Sequence, residues 1–566
     1  MAIDLTGKPF YLDEQAQDWV YKTLGGLTED EKIGQLFCVC CREGTQEEVD
    51  WIFSYLNPGT ILLRQMDEDE LSDYRKMIGA KGRVPLLVAA NLEMGGNGVA
   101  TEGTLFSSPM GVAATGNVEN AYHFGRVCGS EGKKYGVNWN LAPIIDIDYN
   151  WRSPITNVRT YGSNPDTVRE MGTAYVKAVQ EEGIAACAKH FPGDGRDERD
   201  QHLAVTINDL SCEEWDKTYG AAYKSCIDSG VKSVMVGHII QMGYERALRP
   251  GVSDAELLPA SLSPVIMKKL LREKLGFNGL IATDATTMAG FVIPMDRALA
   301  VPLTIENGAD ILLLSRNLGE DIRFMKEGLE KGILTRERLD EAVTRILALK
   351  ASLGLHKKAK VIQKETDKAS DIPEAQEWAR QNADQAITLV KEEKGVFPVT
   401  PERYKRILLF GIETAEKAQG LAAEKSVTEK MKSLLEKRGF AVDIYQPYKA
   451  FEGAIPEYRG ITENYDLMLY TANLTTKSNQ TVVRIEWSQP FGSNTPVYTN
   501  VVPTVFVSFA NPYHLIDVPR VKTFINAYYA NDEALDLLLD KMMGKSDFKG
   551  TSPVDPFCGR WDTHIC

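Results

Sequence analysis

The sequence has no long hydrophobic run and no concentrated block of basic residues. No stretch approaches the roughly 18 apolar residues of a transmembrane helix. The opening residues, MAIDLTGKPFYLDEQ, hold two aspartates and lack the apolar core of a signal peptide. A formal net charge of −14, from 64 basic and 78 acidic residues, would repel a phosphate backbone. We therefore expect a cytoplasmic protein that binds neither membranes nor nucleic acid.

Cysteine is also scarce, with nine residues in a chain of 566. That number is too low for a disulfide scaffold, so reduced thiols are expected. Cys38 and Cys41 have C-x-x-C spacing, but they lie in the apolar run IGQLFCVCC and no second pair is nearby. We favour a buried structural role for them over redox or metal chemistry.

Motifs for phosphate, dinucleotide or metal binding are missing. The sequence contains no G-x-x-x-x-G-K-[ST] loop, and the segment FGIETAEKAQG lacks the G-x-G-x-x-G pattern. The seven histidines form neither H-x-H nor H-E-x-x-H. We predict no metal and no cofactor, which argues against metal-dependent hydrolysis and against a nucleotide-binding regulator.

The composition that is present, 43% hydrophobic and 25% charged, is typical of a soluble globular protein. Its length predicts more than one domain. Eight short apolar runs, each followed by an amphipathic stretch, occupy the first 355 residues. These predicted strands are Leu36–Cys40, Thr60–Leu63, Pro85–Asn91, Val137–Asp146, Ile184–His190, Val231–His238, Gly279–Asp284 and Ala309–Ser315.

Nearly continuous apolar runs indicate parallel strands covered on both faces. Eight strand–helix units predict an α/β fold in which residues 1–355 form a (β/α)8 TIM-like barrel. The lysine-rich segment 356–372 reads as a linker. Residues 373–566 then predict a smaller open α/β sandwich domain. Its predicted strands are Arg406–Gly411, Ala441–Tyr445, Tyr465–Tyr470, Thr504–Ser508 and Thr523–Tyr528, with helices at Ala415–Arg438 and Glu533–Met543.

Barrel enzymes carry their chemistry at the carboxyl ends of the strands. Polar side chains follow most of the predicted strands, although surface loops are polar in any protein. They are Arg64, Asn91, Glu93, Asp146, Asp148, Lys189, His190, His238, Asp284, Ser315 and Arg316.

The segment CAKHFPGDGRDERDQHL, residues 187–203, is the first of two notable places. In an extended segment, Asp200 and His202 would point to the same side. A carboxylate beside an imidazole suits a general acid at neutral pH. The alternative is a solvated acidic loop with an incidental histidine.

The second place is GLIATDATTMAG, residues 279–290. Asp284 ends an apolar strand, so its carboxylate would have little freedom. A fixed carboxylate suits the nucleophile that forms a covalent glycosyl intermediate. The alternative is an aspartate that caps the next helix.

Several motifs in this order resemble glycoside hydrolase family 3, within it the β-N-acetylhexosaminidase branch in its two-domain form. KHFPGDG followed by Asp200-Gln201-His202 resembles K-H-[FI]-P-G-x-G and then D-[ST]-H, with Gln201 in place of Ser or Thr. Thr283 to Met288 is similar to T-D-[AS]-L-x-M, and RTYGSNP to R-[ST]-[FY]-G-x-[DN]-P. Glu93-Met94-Gly95-Gly96 resembles D-x-E-G-G. The resemblance is dense over the barrel and loose beyond about residue 410.

The resemblance implies retaining hydrolysis that removes terminal β-linked N-acetylglucosamine or a related hexosamine. Asp284 would be the nucleophile, and His202, oriented by Asp200, the general acid and base. The substrate is a small carbohydrate, and cell-wall recycling is a role consistent with this family. The residues expected to bind the sugar are Lys189, His190, Arg159, Asn91, Glu93 and Met288. The alternative for Arg159 is a structural ion pair.

This chain departs from the family pattern at several positions that concern sugar specificity, and the family's arginine shortly after the glycines is not evident in NGVATEG. Asn91 stands where the family motif has aspartate, and Asp194 replaces a common histidine. His238 either lines the pocket or is a satisfied core histidine. Phosphorolysis with inorganic phosphate as acceptor and non-catalytic sugar binding are the alternative functions. The sequence leaves a homodimer open.

Overall fold

The computed structural model describes residues 3–41, 43–79, 81–357, 372–413, 426–447, 458–488 and 492–565. The chain forms two compact units. The first comprises Met1–Phe106, Val118–Thr156 and Ser163–Gln376, and the second Ser107–Asn117, Asn157–Gly162 and Glu377–Cys566.

Two short segments of the second unit come from the range that we assigned to the barrel domain. Most of the predicted linker, residues 358–371, lies outside the described residues. The domain boundaries given above therefore stay predictions. Within the described ranges, no helix is long and apolar enough to cross a membrane.

The first unit is built on eight parallel strands, which confirms the predicted barrel. Hydrogen bonding joins them in the order β8-β1-β2-β3-β4-β5-β6-β7. A parallel bridge between Ala282 of β7 and Ile311, next to β8, brings the two ends of the sheet together. The strands are β1 (Phe37–Cys40), β2 (Thr60–Leu62), β3 (Leu87–Ala90), β4 (Trp139–Asn140), β5 (Ala185–Phe191), β6 (Ser233–Val236), β7 (Leu280–Thr283) and β8 (Leu312–Leu313).

Helices follow the barrel strands, and several begin at caps that are visible in the sequence. Asn164 caps the helix that starts with Pro165, and Asn317 caps the helix after β8. The helices of this unit are Glu14–Gly26, Glu29–Gln35, Gln46–Tyr55, Glu68–Gly79, Val118–Lys134, Pro165–Glu181, Cys212–Trp215, Ala221–Asp228, Met242–Leu248, Ala289–Val292, Arg297–Glu306, Leu318–Glu330 and Arg336–Ser352, with π-helical Asp216–Gly220 and Val265–Lys274 and 3-10 turns Gly96–Gly98, Asp254–Glu256 and Leu355–Lys357.

The cysteines around β1 are free thiols. Cys38 and Cys41 are buried and Cys40 is half-buried. Burial raises the pKa of Cys38, and it raises the pKa of Cys41 to about 12. Thiols in this state are poor nucleophiles and poor metal ligands.

The second unit contains a six-stranded sheet in the order β9-β14-β13-β12-β10-β11. All pairs are parallel except that of the edge strand β9, which is antiparallel and which we did not predict. The strands are β9 (Thr388–Lys391), β10 (Arg406–Glu413), β11 (Ala441–Ile444), β12 (Leu467–Asn473), β13 (Thr504–Ser508) and β14 (Thr523–Asn526), and the helices are Pro109–Ala114, Ala375–Ala386, Val427–Lys437, Tyr458–Thr462 and Asp532–Met542, with 3-10 turns Asn157–Arg159, His514–Ile516 and Trp561–His564.

Both faces of this sheet are covered. Along β10, Ile407 and Leu409 face one hydrophobic cluster, whereas Leu408 and Phe410 face another. The run is apolar at every position because successive side chains point to opposite covered faces. The predicted α/β class of this domain is thereby confirmed. Residues 414–425, the first part of a predicted helix, lie outside the described residues.

Candidate active site

The parallel strands β1–β8 bring their carboxyl ends to one face of the barrel. Asp284 directly follows β7, and its side chain is 13% exposed. Its Oδ1 accepts a hydrogen bond from the Ala285 N–H at 2.7 Å. The next helix begins after Met288 and has no side-chain cap. Asp284 therefore does not cap a helix, and its carboxylate is held at the mouth of the barrel.

His190, near the end of β5, faces this carboxylate. Its Nε2 lies 3.8 Å from Asp284 Oδ2, and its Nδ1 lies 2.7 Å from Asp146 Oδ2. The other oxygen of Asp146 accepts from the backbone N–H groups of His190 and Asp194 at 3.1 and 2.8 Å. A carboxylate that receives three bonds is fixed, and it fixes the imidazole in turn. Sequence reasoning noted Asp146 at a strand end without giving it this role.

The Asp284 carboxylate is surrounded by groups that favour its ionised form. Burial disfavours the charge, but the neighbouring His190 and His202 and the Ala285 N–H together hold the pKa of Asp284 below its usual value. Asp284 is therefore an anion at neutral pH. An ionised, oriented carboxylate is what attack on an electrophilic carbon requires.

Asp200 and His202 form a hydrogen-bonded pair in the loop after β5. One oxygen of Asp200 accepts from His202 Nδ1 at 2.7 Å and from the His202 backbone N–H at 2.9 Å. Asp200 is fully buried, whereas the His202 side chain is 28% exposed. The segment is a turn rather than the extended strand that we expected. The pair nevertheless forms, because the turn brings both donors of His202 to the same oxygen.

This loop is attached to the segment that follows Asp284. Ala289 N–H donates to His202 O, and Gly290 N–H donates to Gln201 O, both at 3.1 Å. Further along the loop, residues Thr206–Asn208 pair in parallel with Ile239–Gln241, just beyond β6. The candidate acid and the candidate nucleophile therefore lie on segments that are bonded to each other.

Lys189 gathers two of the other predicted sugar-binding residues. Its Nζ donates to Glu93 Oε1 at 2.6 Å and to Asn91 Oδ1 at 3.2 Å. The Lys189 side chain is 3% exposed, and its buried charge is paired with the Glu93 carboxylate inside the barrel mouth. Asn91 directly follows β3, and its amide oxygen is occupied by the lysine, which leaves its NH2 group as a donor.

For two of the residues expected to bind the sugar, the structure gives a position but does not test that role. Met288 is buried at the start of the helix Ala289–Val292. Arg159 lies in the 3-10 turn Asn157–Arg159, which belongs to the second unit. Sugar binding by either residue stays a prediction.

His238 follows β6 and is completely buried. Its Nδ1 lies 2.9 Å from Ser261 Oγ, and its Nε2 lies 3.1 Å from the carbonyl oxygen of Ala285. A carbonyl only accepts, so Nε2 carries the proton and Nδ1 accepts from the serine hydroxyl. Burial lowers the pKa of His238. It is thus a satisfied neutral histidine that orders the backbone next to Asp284.

Known proteins resemble this chain over its whole length. Residues 28–349 match the family model described as the glycosyl hydrolase family 3 N terminal domain. The chain belongs to glycoside hydrolase family 3. It is 47% identical over 563 residues, 100% of both chains, to a beta-N-acetylglucosaminidase/beta-glucosidase of Cellulomonas fimi. It is 29% identical over 296 residues, 48% of each chain, to beta-hexosaminidase A of Pseudoalteromonas piscicida.

Among solved structures, the family 3 chain resembles the beta-glucoside phosphorylase BglX with a TM-score of 0.91 and 42% identity. The match covers 99% of both chains. The family, the barrel and the hydrolase class expected from the sequence are thus confirmed.

A cavity of about 470 Å³ opens beside His202 in this family 3 enzyme. Thr287, Ala289 and Arg316 contribute to its lining. Arg316 follows β8, is exposed, and makes no side-chain hydrogen bond or ion pair with any described residue. Across the described ranges, no group of three or more His, Cys, Asp or Glu side chains is arranged to hold a metal ion.

Proposed function

We propose that this enzyme cleaves terminal β-N-acetylglucosaminides and β-glucosides with retention of configuration. One observation carries the proposal: an ionised carboxylate at the end of β7 is bonded through its own segment to a loop that presents an oriented imidazole. The relative that is 47% identical is named for both sugar types, which supports this substrate class.

In the first step Asp284 attacks the anomeric carbon while His202 protonates the departing oxygen. Because His202 Nδ1 faces Asp200, the proton leaves from Nε2. The carbon–oxygen bond to the aglycone breaks, the alcohol departs and a glycosyl ester of Asp284 remains. In the second step neutral His202 takes a proton from water as it attacks the same carbon. The sugar and free Asp284 are released, and the two displacements restore the configuration.

The sugar would be held by the cluster around Lys189. Glu93 offers an acceptor for hydroxyl groups, and the free NH2 of Asn91 offers donors. An aspartate at position 91 would instead accept from two hydroxyls. We propose that Asn91 relaxes the demands on the sugar, which agrees with the two sugar types in the relative's name.

Phosphorolysis is the second candidate, in which phosphate replaces water in the second step. Two observations favour it: the acid/base group is an imidazole, which repels an anion less than a carboxylate would, and Arg316 lines the cavity beside it. The structural neighbour named as a phosphorylase is in agreement. The discriminating measurement is whether sugar 1-phosphate forms in phosphate buffer.

The test of the nucleophile uses a 2-deoxy-2-fluoro glycoside with an activated leaving group, because the fluorine slows hydrolysis of the intermediate. The native enzyme should gain the mass of one sugar on the peptide that contains Asp284. Asp284→Ala should gain none, whereas Asp254→Ala, which removes an exposed carboxylate paired with Arg246, should label normally. A label on another residue would refute the assignment.

The test of the acid compares leaving groups. His202→Ala should lose activity severely toward alkyl glycosides, which need protonation, and much less in kcat/KM toward dinitrophenyl glycosides. Equal sensitivity to both would refute proton transfer by His202.

A cytoplasmic location, a cell-wall recycling role and a homodimer remain proposals, to be tested by fractionation, by activity on wall fragments and by sedimentation.

A further inference from the structure

We infer that Gln201 and Asp194 act as a positioning clamp that holds the acid/base loop in its working geometry before substrate binds. The inference rests on the proposed role of His202. It concerns two positions at which this chain departs from the motif of its family, since the family has Ser or Thr where Gln201 stands and commonly has His where Asp194 stands.

The two departing residues contact each other. Gln201 Nε2 donates to Asp194 Oδ2 at 3.3 Å, and both side chains are almost completely buried. At its other end, Gln201 Oε1 accepts from the backbone N–H of His238 at 2.8 Å. Gln201 therefore spans from the loop to the end of β6. A serine or threonine at this position is too short to make both bonds.

Asp194 connects this clamp to the other half of the site. Its backbone N–H donates to Asp146, the residue that orients His190 beside Asp284. Its side chain receives Gln201, the residue between Asp200 and His202. Burial and the nearby charge of Asp146 raise the pKa of Asp194, so a neutral carboxyl fits this position.

The consequence of the clamp is that the His202 imidazole is in place before substrate binds. The His202 side chain is 28% exposed and hydrogen-bonds to Asp200, so its position also depends on the backbone around it. Gln201 fixes that backbone through its side chain and through the bond from Gly290 to its carbonyl. Misplacement of a reacting group by about 1 Å costs roughly 100-fold in rate, so the clamp controls proton transfer without touching substrate.

The test replaces Gln201 with the serine of the family motif. Gln201→Ser should lower kcat/KM about 10- to 100-fold for alkyl glycosides and less than about 3-fold for dinitrophenyl glycosides. Asp194→Ala should show the same selectivity. Asp194→Asn should fall between Asp194→Ala and the native enzyme, because the amide keeps one acceptor oxygen where the native carboxyl accepts from both Gln201 and the Gly195 N–H, the latter at 2.9 Å.

Gln180→Ser is the matched control. Gln180 also bridges two backbone groups, Gly230 O and Lys232 N–H, both at 2.9 Å, but it does so at the amino end of β6, away from the site. Gln180→Ser should change kcat/KM little, and by the same factor for both kinds of glycoside.

Several outcomes would overturn the clamp: no loss in Gln201→Ser, an equal loss for both leaving groups, or an Asp194→Asn variant as impaired as Asp194→Ala. His202→Ala in the same panel separates the two proposals. If His202→Ala is selective and Gln201→Ser is not, the clamp alone fails. If His202→Ala is not selective, the proposed function itself fails.

Discussion

Removal of the charge on Asp310 should destabilise the barrel strongly. This carboxylate is completely buried beside the bridge that joins β7 to β8. Its two oxygens receive Arg272 Nη2 at 2.8 Å and Arg338 Nη2 at 2.7 Å, and Arg345 Nη1 lies 3.7 Å away. One oxygen also accepts from the Ile281 N–H at 2.9 Å, so the carboxylate ties β7 directly to the seam.

Asp310→Asn keeps the shape but replaces an acceptor by NH2 donors that face guanidinium donors. Arg345 retains Glu341 at 2.6 Å, so the loss falls mainly on Arg272 and Arg338. Breaking a buried ion pair by removing one partner costs about 3–5 kcal/mol. That corresponds to roughly a 100- to 5,000-fold shift of the unfolding equilibrium.

The assay is urea unfolding followed by tryptophan fluorescence together with loss of activity, because the candidate site lies in the barrel unit. The matched control is Asp254→Asn, which neutralises a carboxylate that is 81% exposed and paired with Arg246 at 2.7 Å. Exposed ion pairs contribute little to stability, so the urea midpoint of Asp254→Asn should stay near that of the native enzyme. If Asp310→Asn shifts the midpoint no more than Asp254→Asn does, the reasoning about the buried cluster is wrong.

The Asp310 cluster, the candidate site and the buried thiols each give a further prediction. Although burial opposes the charge, the three arginines hold the pKa of Asp310 below its usual value. Its contribution to stability is therefore complete above about pH 4 and is lost as the pH falls through the lower folded pKa. Acid unfolding curves should show this loss in the native enzyme and not in Asp310→Asn. Asp146→Asn removes the charged partner of the His190 hydrogen bond, and such a bond contributes about 1.5–3 kcal/mol. The variant should lower kcat/KM roughly 10- to 150-fold for good and poor leaving groups alike. A loss confined to poor leaving groups would contradict the position of His190 beside Asp284. Cys38 and Cys41 should resist a thiol reagent until urea unfolds the barrel, and rapid labelling of the native enzyme would contradict their burial. Gly290→Ala would place a Cβ 2.7 Å from Gln201 O and should impair alkyl glycosides selectively, which a leaving-group comparison would detect.

The individual barrel strands could be predicted from the sequence because most of them have a local pattern. Most barrel strands lie in apolar runs, and parallel strands covered on both faces have this signature. The edge strand β9 could not be predicted from the sequence. Thr388–Lys391 is short and pairs on one side only, so its residues show no continuous apolar run.

What the sequence by itself determined is the identity and order of the candidate reactive groups: a carboxylate after β7, and an aspartate–histidine pair after β5. What only the tertiary structure decided is how these groups meet. The turn at Asp200, the Asp146 bond that aims His190, and the contact between Gln201 and Asp194 join residues whose partners are distant along the chain or set by backbone conformation. Such contacts follow from the closing of the barrel, which no local pattern specifies.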